Sequence, residues 1–287
     1  MIEVDAAWLK ERPLPQPGAD TDKNKRGRVL AAGGSLTVPG ALRLTGEAAF
    51  RAGAGKVQIA TPESVFVNLG VAMPEAAMFG LPVNDEGELS GAAGDVLAGL
   101  LDACDACVIG PGMDKHADTA AILDAVLAHP RNDLALVLDA AMIPEVGHRA
   151  AEVRGWQGRL ILTPHPGEMA ALMECEAKDV CPELAEKAAA RFEAIVVLKT
   201  PETWIATPGE ETLCYSGGGP GLATGGSGDV LAGIITGLLA RGVPPPIAAA
   251  WGVWLHGEAG RQLAERIGPL GFLGRELLGE VPRLMAP

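Results

Sequence analysis

Alternating apolar runs and helical patterns place this chain among three-layer α/β proteins, with a mostly parallel central sheet and helices on both faces. The runs are short and lack polar alternation, as strands buried on both faces require. Segments of helical spacing separate them, which is the arrangement of βαβ units. The unusual residues nearly all follow the C-terminal ends of the runs, where the ligand crevice of an open parallel sheet lies.

Val29–Ala32 runs into Gly33-Gly34-Ser35, Val57–Ala60 into Thr61-Pro62, and Ala106–Ile109 into Gly110-Pro111-Gly112. Leu134–Leu138 runs into Asp139, Leu160–Leu162 into Thr163-Pro164-His165, and Ile195–Leu198 into Lys199. Ala41, Leu42, Leu44, Ala48, Ala49 and Ala52 follow helical spacing, as do Ala120, Ile122, Leu123, Val126 and Leu127, with Pro130 beyond the end. Ala185 to Phe192 reads as another helix, and a long helical region closes the chain as Val230–Leu239 and Ile247–Leu263, punctuated by Pro244-Pro245-Pro246. Met73–Ser90 is less regular, with Asn84-Asp85-Glu86-Gly87 as a turn. Residues 1–22 hold three prolines and many charges and are expected to pack as an irregular arm on a single domain spanning 1–287.

A formal charge of −13 argues against nucleic acid or an anionic membrane as partner. A small anionic ligand stays open, because backbone amides and one or two lysines can hold it locally. Five cysteines form no disulfide framework, and the start Met1-Ile2-Glu3-Val4-Asp5 has no leader pattern, so a cytoplasmic location is expected. Cys104 and Cys107 have C-x-x-C spacing without a second pair or a histidine cluster, and read as packing residues. His256, in an apolar helical segment with Trp251 and Trp254, reads as a core or interface residue. The small-residue and tryptophan-bearing helices late in the chain suggest a homo-oligomer.

The sharpest motif is the thirteen-residue run Gly217 to Asp229, with seven glycines ahead of an apolar helix. Glycines let successive amides face an anion, and the helix dipole adds to the attraction. Asp229 in the first helical turn is placed to act as a general base, or alternatively to cap the helix. Thr163-Pro164-His165-Pro166-Gly167-Glu168 braces a histidine at a strand end with a glutamate three residues on. Lys199 at a strand mouth supplies a positive charge. Gly55-Lys56 mimics the end of a P-loop but has Phe50 and Val57 where that motif needs Gly and Ser/Thr.

The run Gly218-Gly219-Pro220-Gly221-Leu222-Ala223-Thr224-Gly225-Gly226-Ser227-Gly228-Asp229-Val230-Leu231-Ala232-Gly233 resembles the signature of the NAD(P)HX dehydratases, a branch of the ribokinase-like superfamily. Thr163–Glu168, Gly33–Ser35 with Gly40-Ala41, Arg51–Gly55, Gly110–Gly112, Asp139 and Lys199 are similar to further elements of the same family, over about Lys23 to Gly260. The resemblance implies a ribokinase-like fold and dehydration of NADHX or NADPHX driven by ADP or ATP, with Mg²⁺, by a chain without the epimerase domain that often accompanies it. It implies Asp229 as catalytic base. Lys199, Thr200, Pro201, Glu202, Thr203, Gly225, Gly226, Ser227 and Gly228 would form the anion hole and nucleotide site. Ala41, Gly112, His165 and Asp229 would meet the hydrate, and Glu168 would hold Mg²⁺ through water. Asp139 either sits near the phosphoryl site or caps the next segment. The chain departs from the pattern at Asn24, Asp114, Ala141, Thr200 and Gly219. A vitamin-precursor kinase on the same fold and a non-catalytic nucleotide sensor are the rival expectations; Asp229 weighs against the sensor, and His165 where related kinases carry Asn weighs against the kinase.

Overall fold

Each of the six apolar runs forms a strand, and four further strands extend the sheet that they build. The computed structural model describes residues 1–18 and 20–285. Its strands are β1 (Ile2–Glu3), β2 (Arg28–Ala32), β3 (Lys56–Pro62), β4 (Ala77–Leu81), β5 (Ala106–Ile109), β6 (Ala135–Leu138), β7 (Leu160–Leu162), β8 (Ile195–Lys199), β9 (Thr203–Ala206) and β10 (Leu213–Tyr215). They lie in the order β1-β10-β9-β8-β7-β6-β5-β2-β3-β4. Among the described strands only β9 runs against its neighbours; every other pairing is parallel. The chain leaves β2 in one direction through β3 and β4 and resumes on its other side with β5, so the strand order reverses beside β2.

The helices are α1 (Ala6–Lys10), α2 (Ala41–Arg51), α3 (Phe66–Ala72), α4 (Ala93–Leu101), α5 (Thr119–Leu127), α6 (Met142–Val146), α7 (Ala150–Arg154), α8 (Pro166–Met173), α9 (Pro182–Phe192), α10 (Ser227–Ala240), α11 (Pro245–Arg266) and α12 (Gly274–Leu284). Alternate strand residues serve opposite layers, as the two-residue period demands. Val29, Ala31, Val137 and Val197 join the core under α2, α10, α11 and α12. Leu30, Ala32, Leu136, Leu138, Val196 and Leu198 join the core under α4, α5, α6, α8 and α9. The chain thus has the three-layer architecture expected. α10 is apolar all round and is buried over almost its whole length, as such a helix must be.

The N-terminal arm is more regular than its sequence suggests. Ile2–Glu3 add a parallel strand to β10, and Val4 N–H donates to the Cys214 carbonyl at 2.7 Å. Asp5 caps α1 through the Trp8 amide. Val4, Leu9 and Leu14 are buried, and each such side chain contributes roughly 1.5–3 kcal/mol. The prolines that suggested irregularity, Pro13, Pro15 and Pro17, all lie beyond α1. Asn84–Gly87 does form a turn, closed by the Gly87 amide on the Asn84 carbonyl at 2.9 Å. Cys104 and Cys107 are fully buried in the apolar core, with their thiols pushed up by burial, Cys104 to about 12.

Candidate active site

Five loops from the C-terminal ends of β2, β5, β6, β7 and β8 meet the start of α10 at one rim of the sheet. Gly34 N–H donates to the Pro111 carbonyl at 2.8 Å, tying the loop after β2 to the loop after β5. A Cβ on Gly112 would lie 2.5 Å from the Ala41 Cβ, so these two expected substrate contacts are packed together. Leu44, on the same helix as Ala41, abuts the glycine-rich run at Gly226.

Gly226 is the N-cap of α10 with φ +86°, a conformation that glycine adopts without steric cost. The amides of Gly225, Gly226, Gly228 and Asp229 have no acceptor among the described residues, which leaves four donors at a helix N-terminus. Ser227 differs: its amide donates to the Thr224 carbonyl at 3.2 Å. Ser227, expected with its neighbours in the anion hole, therefore does not turn its amide toward an anion there. Ser227 has only its hydroxyl to offer, because the tight turn at Thr224–Ser227 consumes its N–H.

Lys199 occupies the middle of the acidic cluster. Its Nζ lies 2.9 Å from Asp139 Oδ1 and 3.9 Å from Glu168 Oε2, and a Cβ on Gly228 would be 3.6 Å away. Asp139 is 3% exposed, and Thr163 Oγ1 donates to the same Oδ1 at 2.7 Å. Asp139 therefore belongs to the charged site; the N-cap of α6 is Ala141. Burial pushes the Asp229 carboxyl up to about 6, with Asp139 adding to the rise and Lys199 opposing it. Burial also raises Glu168, against the pull of Lys199. Burial alone would depress the Lys199 ammonium, but the attraction of Asp139 and Glu168 outweighs it and holds the group above its ordinary value. Asp139, Glu168 and Asp229 thus surround one ammonium and leave a net negative pocket.

His165 caps α8. Its Nδ1 accepts from the amides of Gly167 at 2.9 Å and Glu168 at 3.2 Å, while Glu168 Oε2 accepts from the His165 amide at 2.8 Å. This reciprocal box engages Nδ1 as an acceptor, so the neutral ring carries its proton on Nε2. The side chain is still 56% exposed at the rim. Thr200, Pro201 and Glu202 form the turn between the paired residues Lys199 and Thr203, with the Thr200 hydroxyl on the Glu202 carbonyl. Pro201 and Glu202 are exposed, and no hydrogen bond or ion pair among the described residues joins them to Asp229.

Two residues were not read as site residues. Thr163 orients Asp139, and its place at the end of β7 beside His165 was the available signal. His256, expected to be a core or interface residue, lies with Nε2 2.9 Å from Ser227 Oγ at the head of α10. The signal was one polar ring in the apolar stretch Ala248–Leu255 of α11 and just after it.

A family model described as NAD(P)H-hydrate dehydratase matches residues 29–283. The chain belongs to the NAD(P)H-hydrate dehydratase family. An ADP-dependent (S)-NAD(P)H-hydrate dehydratase of Xanthomonas campestris is 46% identical over 286 residues, covering 98% of this chain and 95% of that protein. Other family relatives are bifunctional NAD(P)H-hydrate repair enzymes, including one of Moorella thermoacetica at 38% identity, and the chain spans about half their length. The crystal structure of a Bacillus subtilis ADP/ATP-dependent NAD(P)H-hydrate dehydratase, co-crystallized with ATP/Mg²⁺, superposes with a TM-score of 0.78 at 28% identity, over 96% of each chain. A ribokinase-like superfamily protein of Enterococcus faecalis matches at 0.80 and 28%, over 96% of this chain and 92% of that one. The family's fold is the three-layer architecture described above.

Proposed function

We propose that this protein returns hydrated NADH or NADPH to the reduced cofactor at the expense of a nucleoside diphosphate or triphosphate. The observation that carries this reading is the half-buried Asp229, its carboxyl pushed up to about 6, beside the Lys199 ammonium and four amides that lack acceptors among the described residues. Hydroxide is a poor leaving group, and phosphorylation of the hydroxyl makes it a good one. Asp229 takes the proton from the C6 hydroxyl of the hydrate, and the freed oxygen attacks the terminal phosphoryl group of ADP or ATP, breaking its bridging P–O bond and releasing AMP or ADP. The amides of Gly225, Gly226, Gly228 and Asp229, with Lys199, hold the charge that develops on the phosphoryl oxygens. The C6–O bond then breaks as phosphate departs, a C5 proton is lost, and the ring double bond is restored. Ala41, Gly112 and His165 form the surface for the hydrate, with His165 Nε2 as a donor at the rim. Lys199, Thr200–Thr203 and Gly225–Gly228 serve the nucleotide.

Mg²⁺ fits the donor set. Among the described residues no group of three His, Cys, Asp or Glu side chains could cage a metal alone. Mg²⁺ keeps most of its water and takes one or two carboxylates beside substrate phosphates, and Glu168 with Asp139 present such oxygens. The ion would neutralise phosphate charge there, with Glu168 reached through water.

A kinase on the same fold would end at the phosphorylated alcohol. Incubating the hydrate with ADP or ATP distinguishes the two. The reading expects recovery of reduced-nicotinamide absorbance together with free phosphate, and a stable phosphorylated hydrate would overturn it. Binding of nucleotide without turnover would instead make the chain a sensor. No described helix is long and apolar enough to cross a membrane, and five free cysteines suit a reducing, cytoplasmic setting. The late helices α10 and α11, from which an oligomer was expected, are spent largely on the internal core. A homo-oligomer would draw on other surface, such as the exposed Val67 and Val71 on α3 next to edge strand β4.

A further inference from the structure

Ser227 stands in the middle of the phosphate cradle but has turned its amide away, toward Thr224. Its side chain is only 5% exposed, and its Oγ bonds a single group among the described residues, His256 Nε2 at 2.9 Å. The imidazole comes from α11, a different helix from the one that carries the cradle. Nothing in the dehydration chemistry above uses it.

A hydroxyl paired with a neutral imidazole has two arrangements. In one, Ser227 donates to Nε2 and presents only lone pairs to its other neighbours, which repels a phosphoryl group. In the other, Nε2–H donates to Oγ and the hydroxyl proton is free to point at the anion. A phosphoryl group in the cradle selects the second arrangement, because only that one adds a donor. We propose that His256 is a positioning residue for the phosphoryl cradle: its Nε2–H holds Ser227 Oγ so that the hydroxyl donates to the transferring phosphoryl group in place of the amide that the turn has consumed.

The ring is suited to that task. Burial pushes its pKa down to about 4 against the opposing pull of the Ser227 backbone, and the nearby Lys199 ammonium also disfavours its protonation. His256 is therefore neutral at physiological pH, with one ring proton, and is a directional donor rather than an acid or base. It touches neither the hydrate nor the nucleotide and acts through Ser227.

The inference rests on the dehydratase reading, and two experiments keep them separable. The first is a cycle on the full chain with Ser227→Ala, His256→Phe and both together, measured as kcat and nucleotide KM. Removing a direct donor of this kind costs about 10²–10³-fold in kcat, so Ser227→Ala is expected near the lower end and His256→Phe at roughly 10-fold or more. The double variant should be no slower than Ser227→Ala, because both remove one device. His256→Gln, whose amide N–H can reach Oγ, should recover most of the loss, and a purely structural role would not be rescued in this way. An undiminished kcat in a folded His256→Phe, or losses that multiply in the double variant, would overturn the proposal. The second experiment is ¹⁵N NMR of labelled histidines with ADP and Mg²⁺ alone, which needs no turnover. The proposal expects the His256 ring to carry its proton on Nε2 once nucleotide is bound, and a ring protonated on Nδ1 in that state would overturn it. If the wild-type chain binds ADP with the expected tautomer and yet fails to restore the hydrate, the functional reading falls and the role of His256 stands.

Discussion

Replacing Asp139 by Asn should move the acid limb of the reaction to lower pH. Asp139 is the charged neighbour that raises the Asp229 carboxyl, after burial, and Lys199 is the one that lowers it. The amide keeps the shape of the side chain and can still accept from Thr163 Oγ1 and Lys199 Nζ, which now lie 2.7 and 2.9 Å from Oδ1. It removes one negative charge, and it leaves the Lys199 charge less neutralised, so both effects favour ionised Asp229. Loss of a close like charge is worth roughly one pH unit, taking the limb from about 6 toward roughly 5. Wild type would then be about half active at pH 6 and the variant about nine-tenths active, each relative to its own plateau. At pH 5 the corresponding fractions are about one tenth and one half. The assay is kcat/KM for the hydrate from pH 4.5 to 8, read as recovery of reduced-nicotinamide absorbance, since this ratio reports the free enzyme's base. Each profile is scaled to its own plateau, and the position of the acid limb carries the test. A limb that stays near 6, or moves up, would refute the coupling of Asp139 to the base.

Asp229→Asn should lower kcat about 10²–10⁴-fold while nucleotide still binds. The same change should stabilise the fold. A carboxyl raised from 3.8 to about 6 binds its proton more tightly when folded, so stability falls as pH rises between those values and the deficit persists above them. The gap corresponds to at most about 3 kcal/mol, and nearer half of that with solvent at the cleft; melting curves should show the variant ahead at pH 7 and the advantage gone below pH 4. His165→Ala should cost about 1 kcal/mol by removing the cap on Gly167 and Glu168, beside a raised KM for the hydrate, and chemical denaturation would detect an absent penalty. Gly226→Ala combines φ +86° with a Cβ 2.4 Å from Leu44, and should cost about 1–3 kcal/mol together with nucleotide affinity measured by calorimetry.

The fold was largely legible because buried parallel strands write themselves as unbroken apolar runs. β2, β5, β6, β7 and β8 all lie within a residue or so of where the runs put them. The strands missed were those that such a rule does not reach. β4 is an edge strand with mostly accessible side chains, β9 and β10 form short antiparallel pairs, and β1 is two residues long. Asp229, Lys199 and Glu168 were legible as chemistry-bearing residues at strand ends or a helix start, and the structure sets Asp229 and Glu168, together with Asp139, around the Lys199 ammonium. What the sequence could not show was orientation. The turn of the Ser227 amide toward Thr224, and the reach of His256 from a helix 29 positions away, depend on packing between α10 and α11 that no local pattern encodes.

An isotope label on the leaving oxygen tests the chemistry assigned to this rim. Hydrate carrying ¹⁸O at the C6 hydroxyl is incubated with ADP or ATP, and the released inorganic phosphate is analysed by mass. Attack of that hydroxyl on the phosphoryl group predicts one ¹⁸O in each phosphate, matched one to one by restored NADH or NADPH. Label recovered in water, with unlabelled phosphate, would contradict it.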